Sequence, residues 1–111
     1  MKTMLRSGLA LSALLAFSAM ACETPTVANV PDGAAASMDQ MMTAQQEVKE
    51  YVAAMEEYLG CINEELETAG EDAPEEYKSL MISRHNSAVS EMEAIAAAFN
   101  EQVQAYKAAN P

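Results

Sequence analysis

The chain has 111 residues, with 17 acidic side chains against six basic ones and a net charge of −11. That balance excludes a general phosphate-binding surface, because nucleic acid and anionic lipid are both repelled. With no Trp and two Phe, any core must be built from Met, Leu, Ile, Val, Ala and Tyr, and the length predicts one domain.

Residues 1–21 read as an export signal. Lys2 and Arg6 precede the apolar run "GLALSALLAFSAM", which is too short to span a bilayer, and "AMA" at residues 19–21 suits a signal peptidase. Cleavage after Ala21 removes both of those cations and no acid. Seventeen acidic residues then stand against four basic ones, a net charge of −13. The mature chain begins at Cys22, and the predicted location is the periplasm or cell envelope.

Residues 22–36, "CETPTVANVPDGAAA", form an extended leader. Pro25 and Pro31 disfavour helix in the residues before them, and Asp32-Gly33 is a turn pair. A helical domain is predicted over residues 37–110. Its first helix starts at "SMDQ", a capping box in which Ser37 and Gln40 exchange side-chain and backbone hydrogen bonds. From there Met38, Met41, Gln45, Val48, Val52, Met55, Leu59, Ile62 and Leu66 step by three and four, a heptad seam with one polar member. Gly70 is the expected stop, so the helix covers about residues 37–69, with a turn at about 70–72.

The second helix is predicted over about residues 73–108, with Asp72 and Glu75 as its cap and Pro74 in its first turn. Its seam reads Met81, His85, Ala88, Met92, Ile95, Phe99, Gln102, Tyr106. A flanking row of Ile82, Val89, Ala96 and Val103 widens the apolar face. Two helices of similar length joined by a short link favour an all-α, antiparallel two-helix hairpin of coiled-coil type. The face on the second helix is wider than one neighbour covers. Either the leader folds back over the hairpin, or two hairpins pair into a four-helix bundle.

The two cysteines bear on that choice. In the heptad register Cys61 lies off the seam, in a column with Ala44, Tyr51, Ala54 and Tyr58. Tyrosines there are amphipathic cover for a third element. From Ser37 to Cys61 the helix rises about 36 Å, while residues 22–36 extend to roughly 45–50 Å. The leader can therefore bring Cys22 to Cys61 as a disulfide, with Val27 and Val30 packing on Tyr51 and Tyr58, and an exported compartment permits the bond. The rival reading is lipid attachment at Cys22, which would be the chain's one link to a membrane. Lipoprotein signals usually carry Leu three residues before the cysteine, where this chain has Ala19.

Little in the chain speaks for catalysis. His85 is the one histidine, and no triad, HExxH or ExxH spacing occurs, so an enzyme is not expected and no cofactor is implied. The carboxylate pairs lack calcium-loop spacing and read as a solvated face. Soft-metal binding is the alternative function. Met38, Met41 and Met42 cluster at the start of the first helix, and thioethers hold Cu(I). His85 is a further candidate, through a pairing with Met81 and Cys61. Gly60 is predicted opposite His85, either leaving room for its imidazole or marking a kink.

The runs "VPDGAAASMDQMMTAQQEVKEYVAAMEEYLGC" and "HNSAVSEMEAIAAAFNEQVQAYK" resemble a group of short, uncharacterised exported helical proteins of Gram-negative bacteria, periplasmic or lipoprotein-like. That resemblance implies an envelope location and carries no known activity or ligand. The reading as a whole is a small structural or interaction protein of the envelope. It self-associates or packs against another helical envelope protein, and it has no nucleic-acid partner.

Overall fold

A computed structural model describes residues 22–111, and the export signal read over residues 1–21 lies outside them. Helix α1 spans Met38–Ala69 and α2 spans Glu75–Ala109, and the two pack against each other as an antiparallel hairpin. At about 1.5 Å per residue each arm is roughly 50 Å long. The described residues contain no strand.

The helix ends follow local chemistry. At the start of α1 the Gln40 amide donates to the Ser37 hydroxyl at 3.1 Å, and the Ser37 amide donates to the Gln40 side-chain carbonyl at 2.8 Å. At its end Gly70 adopts φ 77°, a left-handed value that a residue with a Cβ rarely takes, and its amide caps the Leu66 carbonyl. The start of α2 differs from expectation. Pro74 is itself the N-cap, no side chain caps the helix, and Asp72 takes no part. Proline has no amide to satisfy, so its place at the boundary removes one of the donors a cap would serve. Glu75 and Glu76 then sit in the first turn, where the helix dipole favours negative charge, and Lys107 sits in the last.

The core lies between the helices and beneath the leader. Met55 and Ile62 are 0% exposed, and Tyr51, Tyr58, Met81 and Ala88 complete the buried cluster. On α2 the predicted seam from Met81 to Tyr106 is buried or half-buried throughout. On α1 the seam is displaced. Met38 is 61% exposed and Gln45 is exposed, while Ala44, Tyr51 and Tyr58 are buried beside Met41, Met55 and Ile62. The buried face is thus turned by roughly 50° toward the tyrosine column, at 3.6 residues per turn. The reason is the leader, which lies along that column and adds its own cover.

Two contacts fix the leader's course. Cys22 is joined to Cys61 near the closed end of the hairpin, and Gly33 is buried against α2 near its C-terminal end. The Gly33 amide donates to the Gln102 side-chain carbonyl at 2.8 Å. Asp32 closes the adjoining turn by accepting from the amides of Ala34 and Ala35, each at 3.1 Å. A Cβ built on Gly33 would overlap the Gln102 backbone carbonyl, so only glycine lets the chain approach this closely. Gly33→Ala is therefore expected to destabilise the fold by about 1–3 kcal/mol through overpacking, read as a lowered urea midpoint with the disulfide intact.

One detail of the leader is corrected. Val27 is 56% exposed and does not pack on the tyrosines; Ala28 makes the contact with the core cluster, and Val30 is half-buried. An extended chain turns successive side chains to opposite faces. The choice of Ala28 as the inward residue turns Val27 outward.

Candidate functional site

The most elaborated part of the molecule is the strapped side of the hairpin. Cys61 sits on the outer flank of α1, past the tyrosine column, and the Cys22–Cys61 pair is bridged with a Cα–Cα distance of 5.7 Å. The described residues contain no free cysteine. Around Cys22 the leader and both helices form a groove of about 430 Å³, lined by Thr24, Tyr58, Arg84, Ser87 and Glu91 among others. Its charges are one guanidinium and one carboxylate. On the other side of the bridge, Cys61 borders an open cleft lined by Glu64, Glu65, Glu67 and Tyr77. There the Tyr77 hydroxyl donates to Glu65 at 3.2 Å, tying the two arms together near the turn.

Two tyrosines, Tyr77 and the buried Tyr51, have raised pKa values. Burial pushes the Tyr77 hydroxyl above its ordinary pKa, with the bonded Glu65 adding to the rise. Burial also raises Tyr51, and the negative charge of Glu91 pushes in the same direction. Tyr51 is 4% exposed, and its hydroxyl has no hydrogen-bond partner among the described residues. Burying a hydroxyl without a partner costs stability that its removal returns. Tyr51→Phe is therefore expected to stabilise the protein by about 1 kcal/mol at neutral pH.

The same residue sets a pH dependence. With the folded pKa above the unfolded value of 10.0, the neutral phenol favours the folded state. That contribution is complete below pH 10.0 and is lost as pH rises through the folded pKa. Chemical denaturation in a series of alkaline buffers should show a shallower loss for Tyr51→Phe than for the parent chain. Equal slopes would contradict this role.

The candidate soft-metal residues are spread along the hairpin. Met38 and Met42 stand one turn apart on α1 and are both exposed, whereas Met41 is buried. His85 is half-buried on α2, toward the closed end, where the level of Tyr58 faces residues 83–91. The rise along α1 from Met42 to Tyr58 is roughly 25 Å, so His85 and the methionine cluster do not meet. The sulfur of Cys61 is in the disulfide and is not joined to Met81 and His85 as a thiol ligand. No three His, Cys, Asp or Glu side chains are placed so that they could hold a metal ion among the described residues. Gly60 does not make room for the imidazole: a Cβ there would meet nothing within 4 Å, and α1 runs through it without a break.

Two features of this side were not legible in the residues. The orphaned Tyr51 hydroxyl depends on how deep the leader buries it, and the close approach at Gly33 depends on where α2 ends beside it. A glycine after an aspartate signals a turn and nothing about a neighbour 69 positions away. No protein-family model, curated protein or solved structure matches the chain.

Proposed function

We propose that this chain is a small, exported, acidic helical protein with a structural or protein-binding role in the cell envelope, without enzymatic activity. The observation that carries the reading is the Cys22–Cys61 bridge. It uses the first residue after the segment read as an export signal, and such bonds persist in oxidising compartments outside the cytosol. A sulfur held in a disulfide is not available for a thioether to lipid, which favours a soluble form over an anchored one. The acidic surface keeps a soluble helical body from anionic lipid and nucleic acid, and the resemblance to short exported proteins points to the same compartment.

The experiment is expression of the whole chain in a Gram-negative host, followed by fractionation and intact-mass analysis. The expected product begins at Cys22, leaves with the periplasmic fraction and is lighter by two hydrogens than its reduced form. A membrane-bound product several hundred mass units heavier would place lipid on Cys22 and overturn the soluble form. An uncleaved cytoplasmic product with two free thiols would overturn export.

A further inference from the structure

The leader covers only one side of the hairpin. On the other side each helix keeps a column of side chains at seven-residue spacing. On α1 it is Met38, Gln45, Val52, Leu59 and Leu66, of which the first two are exposed and the other three half-buried. On α2 it is Ile82, Val89, Ala96 and Val103, where Ile82 is 51% exposed and the rest half-buried. We propose that a second copy of this chain covers this face. The product is a two-fold symmetric, antiparallel four-helix bundle, with α1 on the second copy's α1 and α2 on its α2. The inference rests on reading the chain as an interaction protein and adds the face, the occupant and the register.

Self-complementarity carries the argument. The α1 column is centred on Val52, and the α2 column is centred between Val89 and Ala96. The hairpin's own register brings these centres together. Tyr77 bonds Glu65, and Tyr58 shares a groove with residues from Ser83 to Glu91, so Val52 lies at the level of residues 90–93, which brackets the α2 centre. One two-fold axis at that level therefore serves both helices, as an interface made of one surface patch twice requires. About that axis Val52 meets its own copy, Met38 meets Leu66, Ile82 meets Val103, and Val89 meets Ala96. Gln45 is placed against Leu59, at the half-exposed part of the column.

Charge obeys the same symmetry. Lys49 and Glu56 flank Val52 one heptad apart, so each Lys49 faces Glu56 of the second copy, and the pair forms twice. Two pairings are unfavourable: Lys78 against Lys107, which falls at the ends of the interface, and exposed Glu93, which the same rule sets against its own copy beside the α2 centre; solvent and salt weaken both. The net charge of −13 per mature chain opposes association at long range. Near 0.15 M salt the screening length shrinks to about 8 Å and most of that repulsion is removed.

Light scattering on the exported, disulfide-bonded product decides the matter. The expected result is twice the single-chain mass at about 0.15 M salt, falling toward the single-chain mass as salt is lowered to about 0.01 M. Leu59→Glu is expected to give the single-chain mass with helix content unchanged. Lys49→Glu should weaken association roughly tenfold, and adding Glu56→Lys should restore it. Val52→Cys should give a covalent dimer on oxidation. A parent chain of single-chain mass at about 0.15 M salt overturns the inference. A dimer that Leu59→Glu leaves intact, or a Val52→Cys chain that does not cross-link, does the same. If Leu59→Glu loses its helix signal, the Lys49 and Glu56 exchange decides, and failure of the double variant to recover association counts against the face. A single-chain product that is still exported and bridged overturns this inference alone, whereas loss of export overturns the proposed role alone.

Discussion

Replacing Cys61 with serine is expected to lower the stability of residues 22–111 by roughly 4 kcal/mol, the loop-closure value for a bridge of this span. The bonded cysteines are 39 positions apart, so the bridge withholds many conformations from the unfolded chain. The bond also holds the leader against the core cluster, on which Cys22 and Ala28 pack. Without it the leader is retained by Ala28 and by Gly33, whose amide bonds Gln102 at 2.8 Å. These contacts hold one end of the leader and leave the Cys22 end free to lift. A loss of this size is a large fraction of the 5–15 kcal/mol that holds an ordinary domain. Urea titration with and without a thiol reductant measures it. Reductant should shift the parent midpoint to that of Cys61→Ser and leave the variant unmoved. An unchanged midpoint for the variant would mean the bridge contributes nothing to stability.

Met55→Ala should cost about 2–5 kcal/mol, as expected for truncating a fully enclosed aliphatic side chain. Met55 is 0% exposed, in contact with the cluster formed by Tyr51, Tyr58, Ile62 and Met81. Met38→Ala, on the same helix and in the same heptad column set, should cost less than about 0.5 kcal/mol, because the side chain is 61% exposed. The contrast tests the turned face of α1 directly. Were the heptad seam read from the residues the true core, both methionines would be enclosed and both truncations would be severe. Midpoints of chemical denaturation, measured with the bridge intact and at low protein concentration, separate the two cases. Low concentration matters because Met38 belongs to the face assigned to a second copy.

Much of the hairpin is legible in single residues and short spacings. Ser37 and Gln40 announce the start of α1 because both partners of the capping box lie within one turn. Gly70 announces its end because the chain there needs a positive φ. The seam of α2 follows from its three- and four-residue steps, since one helix and the leader cover that face where the pattern places them. The reach of the leader to Cys61 is a matter of contour length and needs no packing detail.

Other features resist such reading. The apolar stripe of α1 is wide enough for two neighbours, and periodicity does not say which half the nearer one takes. Val27 and Ala28 differ by one position, so the inward residue of an extended leader depends on register against the hairpin, and the structure turns the smaller one toward the core cluster. Gly60 illustrates the reverse error: a glycine opposite a histidine suggests a steric need, yet nothing stands within 4 Å.

The amino-acid sequence by itself determined two amphipathic helices, both ends of the first, the acidic outer surface and a leader long enough to bring Cys22 to Cys61, because each of these depends on residues a few positions apart or on contour length. Only the tertiary structure decided which side the leader occupies, that Tyr51, Tyr58 and Ala44 join the core while Met38 and Gln45 leave it, and that Gly33 must be a glycine. Those outcomes turn on contacts between segments distant in the chain, where a shift of one residue exchanges an inward side chain for an outward one.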